Sequence, residues 1–93
     1  ELMRTNTLSE EQLKTFNWKQ LEGYGYGLGV RTLIDKSQGQ RSPLGEFGWD
    51  GAAGAFSMVD PKNNLSLVYF QHMVGWSLRI QAEMRNALYA CLD

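Results

Sequence analysis

The amino-acid sequence predicts an α+β fold in which an antiparallel sheet of three strands packs against a C-terminal amphipathic helix. Apolar and β-branched residues fill three strand-like runs, at residues 23–34, 49–59 and 65–72. Turn-forming residues separate the second run from the third, and apolar residues recur at helical spacing near the end of the chain. Helix, three strands and helix in this order indicate one sheet covered by a terminal helix.

A short helix is predicted to begin after Ser9 and to end before Asn17. Ser9 can cap the first turn, Gln12 lies three residues later as in a capping box, and Glu10 and Glu11 fill the first turn.

The first strand run carries glycine at every second position, so that one face of the strand is bare. A neighbouring part of the molecule is expected to lie close against that face. The run does not fit the dinucleotide-binding fingerprint G-x-G-x-x-G, because Leu28 and Val30 occupy the position of its third glycine. The polar segment 35–43 is predicted to be a connection.

The second and third runs are predicted to form an antiparallel hairpin across the turn at residues 60–64. In the third strand both faces are partly apolar, which favours a central strand covered on two sides. One face carries Leu65, Leu67 and Tyr69, and the other carries Ser66, Val68 and Phe70.

The C-terminal segment has a helical stripe formed by Trp76, Ile80, Met84, Ala87, Leu88 and Cys91. The pattern predicts that this stripe packs on the sheet and that Arg79, Glu83, Arg85 and Asn86 point away from it. Cys91 is thus expected to be a core residue. A sheet of three strands has open edges, so it is expected to be completed by further strands or by a partner.

Composition excludes several classes of function. The 93 residues carry a net charge of −1 with interspersed acids and bases, so no basic surface for nucleic acid is predicted. The apolar runs are of strand length, too short to span a membrane. His72 is the only histidine and is expected at the surface, and Cys91 has no partner for an internal disulfide. No metal or organic cofactor is implied, and the compartment is left open.

The tetrapeptide Trp49-Asp50-Gly51-Ala52 carries the strongest functional signal. It resembles the Lys/His/Trp-x-Gly motif of the serine β-lactamase and penicillin-binding-protein superfamily, most closely the class C β-lactamase and esterase branch. The strand at 26–30, the small-residue tract 51–54, the turn at 59–61 and the closing helix follow in family order. The resemblance implies that the chain is the C-terminal portion of a β-lactamase-like domain.

The resemblance also implies roles for these residues. Trp49 would line the acyl pocket, Gly51 would leave room for substrate, and the Ala52 N–H would stabilise the oxyanion. Asp50 is expected to be a hydrogen-bonded turn residue, with a general base as the alternative. The motif lacks the basic residue of true β-lactamases, which favours an esterase- or peptidase-like parent acting on an ester, an amide or a less anionic lactam.

The family's nucleophile and base are absent from this sequence. No serine is followed by lysine three residues later, and no tyrosine is followed by asparagine two residues later, so Ser-x-x-Lys and Tyr-x-Asn both fail. The chain alone is therefore expected to be inert, with no catalytic residue of its own. The competing hypothesis is a non-enzymatic interaction or dimerisation module that pairs through the exposed sheet edge, with a second copy or a missing N-terminal part as partner.

Overall fold

The computed structural model describes residues 1–38, 41–75 and 79–92, and has an α+β architecture. Two α-helices, one 3₁₀ turn and five strands follow in the order α1 (Glu10–Thr15), the 3₁₀ turn (Lys19–Leu21), β1 (Tyr24–Tyr26), β2 (Arg31–Leu33), β3 (Phe47–Asp50), β4 (Phe56–Asp60), β5 (Leu65–Tyr69) and α2 (Arg79–Ala90). The predicted capping box of α1 is confirmed, because the Ser9 hydroxyl accepts from the Gln12 N–H while the Gln12 side chain accepts from the Ser9 N–H.

The five strands form one antiparallel sheet in sequence order, so the predicted count of three was wrong. Two of the predicted strands are each a hairpin. The first folds back at 27–30, where the Gly27 N–H donates to the Val30 carbonyl over 2.8 Å and Gly29 has a positive φ of 86°. The second folds back after Gly51, whose N–H donates to the Ala55 carbonyl over 2.7 Å. Glycine tolerates the backbone conformation that such tight reversals need.

The bare glycine face of the first hairpin is covered by the N-terminal segment, as the sequence predicted. A Cβ atom at Gly25 would overlap the side chain of Asn6, and one at Gly27 would overlap the carbonyl of Met3. The Asn6 amide oxygen also accepts from the Tyr26 N–H over 3.0 Å. Small residues are therefore required where the two backbones lie against each other.

Strand β5 lies at the edge of the described sheet, so its predicted central position was wrong. The turn that precedes it is as predicted, and the Asp60 carboxylate accepts from the Asn63 N–H over 3.1 Å. Only one face of β5 is partly buried. On the other face the Val68 side chain is 58% exposed, and beyond the strand Phe70 is 83% exposed.

Helix α2 packs on the sheet through an apolar cluster centred on Phe56, Met58 and Tyr89. Partly buried neighbours complete it: Leu65, Leu67, Tyr69, Met84 and Leu88. Of the predicted apolar stripe, Met84 and Leu88 pack against this cluster and Ile80 is half-buried, but Ala87 is exposed, and Trp76 lies outside the described residues.

The buried side of α2 also carries polar residues that the helical pattern did not predict. Gln81, Arg85 and Tyr89, spaced four residues apart, are buried, so the expectation that Arg85 points to solvent was wrong. Cys91 is exposed rather than part of the core. The apolar stripe therefore marks only one edge of the contact surface, and the buried Gln81 and Arg85 face polar partners on the sheet side.

The close approach of β3 and β4 yields a test of the fold. An added Cβ at Gly48 would overlap the backbone carbonyl of Ser57, so Gly48→Ala is expected to lower the free energy of unfolding by about 1–3 kcal/mol. Gly51→Ala is the matched control, because its Cβ would lie 3.7 Å from the nearest atoms, and we expect a change below about 1 kcal/mol. Urea unfolding followed by circular dichroism measures both, and equal losses would contradict the packing described here.

Candidate functional site

The four residues singled out by the sequence motif lie together in one cleft. Trp49, Asp50, Gly51 and Ala52 line one side of it, and the 3₁₀ turn and its N-terminal flank line the other, where Trp18, Gln20 and Leu21 lie. The cleft encloses about 470 Å³. We call it the tryptophan cleft. Its size suits a small organic molecule, and its lining is mostly apolar.

Aromatic stacking fixes the position of Trp49. Its ring meets the ring of Tyr26 edge to face at a centroid distance of 5.5 Å, and Tyr26 meets Phe16 in the same way at 5.7 Å. The Trp49 side chain nevertheless remains 41% exposed. The indole is therefore held by the Tyr26 ring while part of it stays available to a ligand.

Gly51 and Ala52 form the start of the turn between β3 and β4. The Gly54 N–H donates to the Gly51 carbonyl over 3.0 Å, and both Gly51 and Ala52 are exposed. The free volume at Gly51 agrees with a residue that leaves room for a ligand, since a Cβ there would touch only Ala55.

Asp50 forms a buried ion pair instead of the predicted hydrogen bond within a turn. It is the last residue of β3, and its Oδ1 lies 2.6 Å from Nη1 of Arg31 on β2. The Arg31 side chain is fully buried and that of Asp50 is only 10% exposed. Charges removed from water to this extent are stable only when they are paired.

Arg31 links the cleft to helix α2. Besides Asp50, its guanidinium lies over the Tyr24 ring at 4.9 Å and donates from Nη2 to the Gln81 amide oxygen over 3.4 Å. Burial, followed by the negative charge of Glu46, raises the pKa of the Tyr24 hydroxyl above its usual range. Tyr24 is therefore neutral at any physiological pH.

A second buried ion pair joins α2 to the connection before β3. Nε of Arg85 donates to Oε1 of Glu46 over 2.8 Å, and both side chains are at least 95% buried. The Ser42 hydroxyl donates to the same oxygen over 3.4 Å, and the Arg85 guanidinium lies 5.4 Å from the Phe56 ring centroid. The ion pairs Arg31–Asp50 and Arg85–Glu46, with their polar neighbours Gln81 and Ser42, are called the buried charge layer.

Asp60 extends this layer at the far end of β4. Its Oδ2 accepts from the Tyr89 hydroxyl over 2.6 Å and from the Asn63 amide over 2.7 Å. Burial acts to raise the pKa of Asp60, but the hydrogen bonds from Tyr89, Asn63 and the Lys62 backbone outweigh it and hold that pKa below its usual value. The folded state thus favours the charged carboxylate.

Part of the cleft and all of the buried pairing could not be predicted from the sequence. Trp18, Gln20 and Leu21 carried no motif, and they reach the cleft only because the chain folds back on β3. Arg31 gave no signal within its strand pattern, although a lone arginine among apolar strand residues could have been taken as a candidate for buried pairing. His72 is exposed, as predicted.

Comparisons with protein-family models, with curated proteins and with solved structures found no match to this chain. Among the described residues, no helix is long and apolar enough to cross a bilayer.

Removing one charge from the buried charge layer is expected to be costly. Glu46→Gln leaves the buried Arg85 without a carboxylate, and we expect the free energy of unfolding to fall by about 3–5 kcal/mol. The matched control is Glu83→Gln, which breaks the exposed Arg79–Glu83 pair and is expected to cost less than about 1 kcal/mol. Equal effects in urea unfolding would contradict a buried ion pair between Glu46 and Arg85.

The Tyr89–Asp60 hydrogen bond predicts a pH-dependent stability. Because the pKa of Asp60 is lowered in the folded state, its contribution is fully present above its unfolded pKa of about 4 and is lost as the pH falls through the folded pKa. Tyr89→Phe should therefore lower stability by about 1.5–3 kcal/mol at pH 7, and this deficit should shrink as the pH falls through the folded-state pKa of Asp60.

Tyr69→Phe is the control for this experiment, because the Tyr69 hydroxyl donates to the neutral Gln71 side chain. We expect its smaller effect on stability to be independent of pH. A Tyr89→Phe deficit that stays constant as the pH is lowered until the wild-type protein unfolds would contradict the charged hydrogen bond.

Proposed function

We propose that this chain supplies one wall of the active site of a serine hydrolase of the β-lactamase-like kind, with an esterase- or peptidase-like preference. The observation that carries the proposal is the tryptophan cleft, in which the whole motif Trp49-Asp50-Gly51-Ala52 lines a single cavity of about 470 Å³. Supporting it, Trp49 is braced by Tyr26 while remaining partly exposed, as a residue that contacts an acyl group needs to be.

In the proposed reaction, a serine hydroxyl attacks the ester or amide carbonyl and forms a tetrahedral intermediate. A base takes the serine proton, the leaving alcohol or amine departs with a proton, and water then hydrolyses the acyl-enzyme to the carboxylic acid. The serine and the base would come from outside these 93 residues, because the sequence contains neither family motif.

The chain's own part in this chemistry is to bind and orient the substrate. Trp49 would contact the acyl group, Gly51 would let the carbonyl approach the backbone, and the Ala52 N–H would donate to the developing oxyanion. One such donor typically contributes about 3 kcal/mol to transition-state stabilisation. The chain alone would bind substrate without turning it over.

A binding titration tests this proposal directly. Methyl benzoate, a small neutral aromatic ester, is expected to shift the NMR signals of the Trp49 indole N–H and of the Gly51 and Ala52 amides. Trp49→Ala should weaken this binding roughly tenfold, because base-like stacking on an aromatic side chain is worth about 1–3 kcal/mol per ring. Phe70→Ala, which removes an exposed ring outside the tryptophan cleft, should leave binding unchanged.

Shifts scattered over the surface, or equal weakening by both variants, would overturn the proposed site. A fluorophosphonate probe for activated serines should leave the 93-residue chain unlabelled, and its labelling would contradict the assignment of the nucleophile to another part of the enzyme.

A second candidate function is the interaction module, in which the open face of the sheet docks a second copy of the chain. It is favoured by a row that runs across three strands, from Trp49 through Ser57 to Val68, in direct cross-strand register. With Phe70 this row lines a shallow groove of about 280 Å³. The exposed apolar side chains of this face suit the docking of a second copy, and the face ends at the edge strand β5.

Sedimentation equilibrium over a range of concentrations tests the second candidate. A docking module should form a defined dimer, and Val68→Lys should return it to the monomer by placing a charge in the groove. Ser66→Lys is the matched control, because Ser66 is exposed on the same strand but outside the groove. A wild-type chain that stays monomeric at all concentrations would exclude this function.

A further inference from the structure

We infer that Asp50 is a specificity-determining residue, which masks the buried Arg31 guanidinium from the tryptophan cleft and thereby restricts the cleft to uncharged acyl groups. This inference rests on the proposed function and names the substrate class of the same site. It is carried by the placement of one complete ion pair at the wall of an otherwise apolar cleft.

The first step concerns the position of the two charges. Asp50 lines the tryptophan cleft, whereas Arg31 is fully buried and does not line it. Oδ1 of Asp50 lies 2.6 Å from Nη1 of Arg31. Asp50 is thus the cleft-lining residue in direct contact with Arg31.

The second step concerns what the cleft offers to a ligand. Among the described residues that line it, the only ionisable side chain is that of Asp50, and no basic side chain is present. Because Arg31 neutralises Asp50, neither charge is available to a ligand. A substrate carboxylate entering this cleft would lose its water without gaining a partner, which is costly. A neutral ester loses little by comparison.

The third step concerns what would happen without the mask. The Arg31 guanidinium is held from its other side by Gln81 and by the Tyr24 ring, neither of which carries a charge that could replace Asp50. If the Asp50 carboxylate is removed, a ligand carboxylate at the cleft wall can take its place on Nη1. Arginine and a carboxylate form strong, charge-assisted hydrogen bonds, so the exchange would convert the cleft into an anion site.

The test compares benzoate with methyl benzoate, which share the same ring and differ in charge. The wild-type chain is expected to bind methyl benzoate and to bind benzoate at least tenfold more weakly. Asp50→Ala should bind benzoate roughly tenfold more tightly than the wild type does, so that the preference for the neutral ester is lost or strongly reduced. The double variant Arg31→Met/Asp50→Ala should lose the gain in benzoate binding. NMR shifts at the Ala52 amide and the Trp18 indole, which line the tryptophan cleft but not the groove at Phe70, report whether both ligands bind at the same place.

Because Asp50→Ala leaves Arg31 buried and unpaired, the variant could be too unstable to titrate. In that case its thermal midpoint is measured, and benzoate, which should barely change the wild-type midpoint, should raise that of the variant by binding the folded state. An Asp50→Ala chain that benzoate neither binds nor stabilises overturns the inference. Tight benzoate binding by the wild type overturns it as well.

The outcomes separate this inference from the proposed function. If methyl benzoate fails to bind in the cleft of the wild-type chain, the proposed function fails. If methyl benzoate binds both the wild type and Asp50→Ala, but the substitution does not strengthen benzoate binding, the proposed function is retained and only the masking role of Asp50 is refuted.

Discussion

The pairing of buried charges determines how helix α2 lies on the sheet. Arg31 and Arg85 are both buried, and each has a carboxylate partner within 2.8 Å. An unpaired charge at either place would cost several kcal/mol, which is a large fraction of the stability of a domain of this size. The apolar cluster around Met58 buries apolar surface, but the hydrophobic effect is non-directional and does not by itself fix the orientation of the helix. The Arg85–Glu46 pair, together with the hydrogen bond from Arg31 to Gln81, therefore favours the placement of α2 in which the buried Arg85 has its carboxylate partner.

The same pairing connects the helix to the tryptophan cleft. Arg31 contacts both Gln81 of α2 and Asp50 of β3. Asp50 directly precedes Gly51, the first residue of the turn between β3 and β4. The position of the cleft wall thus depends on contacts made in the core behind it. A wall fixed in this way is suited to hold a ligand in one orientation, as both proposals for the cleft require.

Elements with local signals could be predicted from the sequence, whereas features that depend on distant contacts could not. The capping box at Ser9 and the turn after Asp60 lie within a few residues of the groups that they satisfy. The two additional hairpins escaped prediction because the apolar alternation continues through their glycine-rich turns. The burial of Arg85 depends on its ion pair with Glu46, 39 residues away. A helical pattern considered without this partner predicts that the arginine side chain faces solvent.

The candidate site likewise has one part that could be predicted from the sequence and one part that could not. The motif at 49–52 was visible as a contiguous string, and the structure brings its four residues to one cleft. The opposite wall at Trp18 and the ion pair to Arg31 come from segments that meet β3 only in the folded chain. Strand alternation describes which face a residue occupies but not which charge lies across the sheet from it.

The most direct test of this account is the NMR behaviour of the arginine side chains. If Arg85 is buried and bonded to Glu46, its Nε–H should exchange with solvent as slowly as core amides and show a scalar coupling to the Glu46 carboxyl carbon. Exposed Arg79 provides the reference for fast exchange within the same helix. An Arg85 Nε–H that exchanges as fast as that of Arg79, with no such coupling, would contradict the central role of the buried charge layer.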